Sequence, residues 1–309
     1  MFLIVLFNVV IILAYMMIGF LLCKFKKMQA RDAKSLSGLL VYVLSPFMVI
    51  KAFLDMEYSR DTLLDIVFFF LVSLAVQLLF YLLLYLILHK KFADAKYRIL
   101  VAASLLGNVG FFGMPLISSI FPNDAIVVCY SSVYVMSMNL LVFTIGVFMI
   151  TFDKKYISLK SALLNPTTIA LVIALPLFIF NVQFPSFIDN AISLLAKMVT
   201  PVCMIILGMR LSTVSIKAMF TRNFVYFSAF LKLIVFPLLA YFLVYFLPFS
   251  EMFKIAILVL SATPSAAMLV SLAELHESEQ ELCANCVLFA TLFSVLTIPL
   301  LLLILGFGF

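Results

Sequence analysis

Apolar runs of roughly twenty residues, separated by short clusters of charge and turn formers, divide the chain into ten segments. These are residues 2–23, 35–54, 62–88, 98–121, 124–152, 165–181, 187–209, 223–247, 252–274 and 281–307. Within the runs, apolar and polar residues do not alternate, so the pattern is that of membrane-spanning helices and not of barrel strands. The connections are short and leave no room for an extramembrane module. No basic stretch precedes segment 2–23 and no small-residue cleavage pattern follows it, so it is expected to be a retained first span and not a signal peptide.

Composition agrees with the pattern. Hydrophobic residues make up 66% of the 309, charged residues 11%, and mean hydropathy is +1.29. A soluble domain carries roughly a quarter charged residues. The expectation is an all-α polytopic membrane protein.

Charge then orients the spans. Lys24, Lys26, Lys27, Arg31 and Lys34 follow the first span; Lys90, Lys91, Lys96 and Arg98 follow the third. Lys154, Lys155 and Lys160 follow the fifth, and Arg210, Lys217 and Arg222 the seventh. Connections after even-numbered spans hold only Lys51, Arg60 and Lys254. The positive-inside rule predicts both termini outside a cell membrane, and it accounts for the net charge of +6 without nucleic-acid binding.

Helix breakers interrupt four spans. The stretch LLGNVGFFGMPL (105–116) carries Gly107, Asn108, Gly110, Gly113 and Pro115, and SATPSAAMLVSLA (261–273) carries Thr263, Pro264 and Ser265. Ser45-Pro46 in the second span and Thr200-Pro201 in the seventh close similar apolar stretches, 155 residues apart (201 − 46). The same offset carries Asn108 onto Thr263. With five spans in each half, the halves enter the bilayer in opposite senses. The prediction is two inverted five-helix repeats, residues 1–152 and 165–309, joined by a short inner linker, 153–164.

These residues resemble the auxin efflux carrier family, which contains plant auxin exporters and bacterial transporters of malate and malonate. GNVGFFGMPL in a fourth span, a Pro-small-small stretch ending in Ala-Glu in the ninth, and the five-plus-five layout carry the likeness. Asn108, Gly113 and Pro115 match the family's fourth-span motif residue by residue. The long hydrophilic loop of many plant members is absent, and the second ninth-span proline is replaced near Leu269-Val270. The resemblance implies a fold like that of sodium/bile-acid symporters. Spans 1, 2, 6 and 7 would form a scaffold and possible dimer contact, and spans 3–5 and 8–10 a transport core. Spans 4 and 9 would break and cross, and transport would be elevator-like.

The chemistry of a crossing follows from the residues. Pro115 has no N–H to donate and clashes with the Phe111 carbonyl, and the glycines allow close backbone approach. Freed backbone groups are tolerated at membrane depth only inside protein or beside water. Half-helix N-termini suit a carboxylate, and half-helix C-termini and free carbonyls suit a cation. Asn108 offers a donor and an acceptor and stands for substrate binding, ion binding or simple capping. Thr263 and Ser265 are the equivalents in the ninth span. Ser45, Pro46, Thr200 and Pro201 are scaffold-side candidates, with Lys197 one turn before Pro201 as a counter-charge for an organic anion. Asn139 and Lys232 rank behind them, as polar glue or support.

Other chemistry finds little material. Five cysteines include a Cys283-x-x-Cys286 pair without a second pair or a nearby His, which reads as packing. His89 and His276 lie in connections, so no metal site or nucleophile–base pair is expected. No nucleotide-binding or hydrolase motif is present, no cofactor is expected, and the class is non-enzymatic. No Asp lies mid-span, which leaves Na+ coupling, H+ coupling through a less central group, or uniport. The leading expectation is a secondary transporter of a small organic anion, a mono- or dicarboxylate such as malate or malonate or an auxin-like acid. The alternatives are a monovalent cation/proton antiporter on the same architecture and a non-transporting membrane sensor.

Overall fold

The computed structural model describes residues 2–212 and 223–306; Lys217 and Arg222, two of the orienting cations, lie outside the described residues. All described regular structure is helical, apart from one isolated antiparallel bridge. Seven described helices are long and apolar enough to cross a membrane: Ala33–Leu54, Arg60–Lys91, Ala125–Thr151, Lys154–Ile179, Ser186–Leu211, Asn223–Tyr245 and Gln280–Ile304. The first, fourth and ninth predicted segments are not among the seven. The first is the apolar helix Phe2–Lys24, 23 residues long. The fourth and ninth are each broken into two short helices, Ala95–Leu105 and Val109–Ile120 in one, Glu251–Ser261 and Ala267–Leu275 in the other.

Proline sets much of the local geometry. Widened π-helical turns at Leu40–Leu44, Val109–Gly113 and Leu231–Val235 each run directly into an X-Pro pair, Ser45-Pro46, Met114-Pro115 and Phe236-Pro237. Each turn contains the carbonyl four residues before the ring, which a regular helix would drive into it. Widening the turn moves that carbonyl aside. The Phe111 carbonyl so released accepts the Cys203 thiol. In the seventh span the helix is interrupted at Met198, three residues before Pro201.

The chain forms two compact units, each interleaved in sequence. One comprises residues 1–69, 110–135 and 164–214, as far as they are described. Within it, helix Phe2–Lys24 lies backbone-to-backbone on Val199–Leu211. A Cβ on Gly208 would stand 1.8 Å from the Met16 carbonyl oxygen, and one on Gly19 2.0 Å from that of Ile205. Only glycine permits so close an approach of helices in lipid. Near Gly208, Arg210 reaches the Ser37 hydroxyl at 3.3 Å; at the other end of the seventh span, Asp189 accepts from Lys51 at 2.8 and 3.0 Å.

The second unit comprises residues 70–109, 136–163 and 215–309, as far as they are described. Phe80 and Phe236 stack at 4.6 Å in its core. Gln77 donates to the Ser137 hydroxyl at 2.8 Å and to the Ser73 carbonyl at 2.9 Å. Buried Arg98 is tied to backbone carbonyls, Met149 at 3.0 Å and also Phe92 and Ala93, which fixes the start of the broken fourth span. The second unit also holds the place where the two broken spans meet.

Candidate functional site: the crossing of two broken helices

Each broken span starts with a side-chain cap. The Asp94 carboxylate accepts from the Lys96 amide at 3.1 Å, and the Ser250 hydroxyl accepts from the Phe253 amide at 3.2 Å. Each first half-helix is 11 residues long. After Leu105 and Ser261 the chains turn out of helical geometry and run antiparallel for a few residues. The Asn108 amide donates to the Pro264 carbonyl at 2.7 Å, and the Ala266 amide to the Leu106 carbonyl at 2.9 Å. Gly107 and Ser265 lie opposite one another between these two bonds. This is the closer of the two pairings found in antiparallel strands, in which facing side chains crowd.

Gly107 is required at that point. A Cβ there would lie 2.5 Å from the Thr263 hydroxyl oxygen and 3.1 Å from the Lys232 ammonium nitrogen. The fifth span also yields: a Cβ on Gly146 would meet a Leu106 methyl at 2.8 Å.

Most of the backbone groups freed by the breaks are met within the unit. Ser265 donates its hydroxyl to the Ala103 carbonyl at 2.7 Å, closing the first half of the fourth span. Lys232 donates to the Ser261 carbonyl at 2.9 Å and Thr263 to Leu260 at 2.8 Å, closing the first half of the ninth. The Lys232 ammonium also lies 4.6 Å from the centre of the Phe236 ring. At the contact itself one side-chain donor is left unmet. The Asn108 side-chain nitrogen is buried and has no hydrogen-bond partner among the described residues.

The structure thus brings Gly107, Asn108, Thr263, Pro264 and Ser265 together at one antiparallel contact. Lys232, ranked on sequence behind Lys197, is at the contact and 1% exposed. Lys197 is exposed on the other unit, in the last turn of helix Ser186–Lys197, where a cation complements the helix C-terminus. Gly110, Gly113 and Pro115 follow Asn108 along the chain and belong to the first unit, to which Ser45, Pro46, Thr200 and Pro201 also belong. Asn139 is buried in the fifth span with its side-chain nitrogen unpartnered.

The pairing also moves one equivalence. Gly107 faces Ser265, and the bond from the Asn108 amide to Pro264 mirrors that from the Ala266 amide to Leu106, so residues 158 apart (265 − 107) exchange places across the contact. By that measure Asn108 corresponds to Ala266, not to Thr263. Gln77, which the sequence pattern does not single out, is buried on Ser73 and Ser137 and stands 155 residues before Lys232 (232 − 77), the spacing of the two proline pairs.

Helices that break at membrane depth and pair by their backbones are an arrangement found in membrane transporters. The comparisons agree: a model of a membrane transport protein family matches residues 4–159 and 153–302. The chain belongs to this family, which is of the auxin efflux carrier type. It is also similar to an uncharacterized transporter of Methanocaldococcus jannaschii, 29% identical over 300 residues, covering 94% of this chain and 96% of that protein.

Proposed function

We propose that this transporter is a secondary carrier that moves a small organic anion, a mono- or dicarboxylate, across the cell membrane by alternating access at the crossing. The observation that carries the reading is the unpartnered side-chain nitrogen of Asn108. It is a donor, and it sits one residue before the helix that begins at Val109. A buried donor left unmet costs about 1–3 kcal/mol, so a bound acceptor recovers that energy. A carboxylate is such an acceptor, and the adjoining helix N-terminus favours its charge. In this reading the halves are inverted repeats, both termini lie outside, and the movement is elevator-like. A cation/proton antiporter would place a carboxylate at the crossing; the charged side chain there is an amine.

The test is uptake of radiolabelled malate and malonate into proteoliposomes by the wild-type carrier and by Asn108→Ala. Saturable uptake by the wild type that falls at least tenfold in the variant supports the reading. No uptake of either acid, or equal uptake by both proteins, refutes it.

A further inference from the structure

The two half-helix ends that stop at the crossing are closed differently. The end of Ala95–Leu105 receives a hydroxyl from Ser265, and the end of Glu251–Ser261 receives an ammonium from Lys232. Around the crossing four half-helix termini meet the extended segments: two C-termini, at Leu105 and Ser261, and two N-termini, at Val109 and Ala267. Each terminus carries about half an elementary charge, negative at a C-terminus and positive at an N-terminus. Without Lys232 these four contributions cancel. With its ammonium on the Ser261 carbonyl, the two negative ends are offset and about one positive charge is left, at the N-termini beside Asn108.

Lys232 does not itself face the ligand side. Its nitrogen lies where a side chain on Gly107 would point, and successive residues of an extended segment point to opposite faces. Asn108 therefore looks away from Lys232, with one thickness of backbone between them. Among the described residues no carboxylate forms an ion pair with Lys232.

We infer that Lys232 is the specificity-determining charge of the carrier. From behind the Gly107–Ser265 pair it sets the crossing's net charge and selects anions over neutral molecules of the same shape. It is a positioning residue, acting through the backbone and the two helix N-termini, and the cost of burying it is met when an anion occupies the Asn108 face. The inference rests on the reading of the crossing as the transport site.

The experiment compares malonate with malonamide, its neutral analogue, as ligands of the purified carrier at pH 7. Affinities come from the shift in thermal midpoint with concentration. Lys232→Met removes the charge, Lys232→Arg keeps it, and Lys232→Gln keeps a donor for the Ser261 carbonyl without charge. At the effective dielectric near a buried charge, its removal is expected to weaken an anion roughly ten- to a hundredfold. The expected result is that malonate affinity falls by that factor in Lys232→Met and Lys232→Gln, stays within threefold in Lys232→Arg, and malonamide binding does not change. The midpoint of unliganded Lys232→Gln is expected at or above that of the wild type, because a buried charge without a counter-ion is gone while the Ser261 carbonyl keeps a donor; Lys232→Met also strands that carbonyl and is expected below Lys232→Gln. An unchanged preference for malonate in the uncharged variants overturns the inference and leaves the transport reading standing. Failure of both uncharged variants to fold also overturns it, by showing that the charge serves the fold. If the wild type binds neither compound, both readings fall.

Discussion

The break in the fourth span and the break in the ninth use one backbone plan and two chemistries. Both first halves start on a side-chain cap, run 11 residues and end at the shared antiparallel contact. The fourth-span end is closed by a neutral hydroxyl, the ninth-span end by a buried ammonium. The residue after the contact differs too, Asn108 on one side and Ala266 on the other. The repeated part is what satisfies the backbone inside a membrane. What differs between the breaks is the charge and the free donor, the two features on which the proposed anion site rests.

The comparison is broken most completely at the contact itself. Gly107→Val would force a Cβ against the Thr263 hydroxyl and the Lys232 nitrogen, at 2.5 and 3.1 Å. Overpacking on that scale costs about 3 kcal/mol. The expected outcome is a large fall in thermal midpoint at fixed scan rate and loss of malonate uptake, whereas Gly110→Ala, whose Cβ would meet only a Val135 methyl at 3.8 Å, leaves the midpoint nearly unchanged.

Smaller changes separate the two closures. Ser265→Ala strands the Ala103 carbonyl and is expected to cost about 2 kcal/mol, since the orphaned acceptor stays buried. Thr263→Val keeps shape and loses one bond to the Leu260 carbonyl, whose loss is worth about 1 kcal/mol. Differential scanning calorimetry of the two variants should rank them in that order; the reverse order would mean that the fourth-span end is held by something other than Ser265.

The least effect is expected at the starts of the half-helices. Hydrogen bonding from the Lys96 ammonium and then from its amide holds the Asp94 carboxyl below the ordinary carboxylate value, whereas Ser250 does not titrate in the acid range. The Asp94 cap is therefore at full strength above pH 3.8 and is lost as pH falls through the lowered pKa. Amide exchange at Lys96 and Tyr97 should accelerate in acid relative to the intrinsic rate, while that at Phe253 should not.

The outline of this site was legible in the sequence because its making depends on residues that punctuate helices. Three glycines with Pro115, and Thr263-Pro264-Ser265, could be read as breaks without coordinates. Register was not legible. A backbone pairing between two irregular segments leaves no hydrophobic period to count; the offset of 155 between Pro46 and Pro201 matches Asn108 with Thr263, whereas the contact itself uses 158 (266 − 108). Helix facing was not legible either. Lys232 and Lys197 both lie in apolar spans, and hydrophobicity alone does not say which one turns inward. The widened turn Leu231–Val235 carries Lys232, and its only sequence mark is Pro237 five residues on. The buried trio of Ser73, Gln77 and Ser137 was hidden for the same reason, being single polar residues on long apolar helices.

The most direct test of the crossing as an anion site reads the Asn108 side chain itself. In carrier labelled with 15N-asparagine, the Asn108 amide is assigned by its absence in Asn108→Ala, and malonate is titrated in detergent micelles. A saturable shift of that side-chain NH2 resonance, with half-saturation matching that of malonate uptake, is the predicted result. A resonance that stays fixed while malonate is transported would contradict the account.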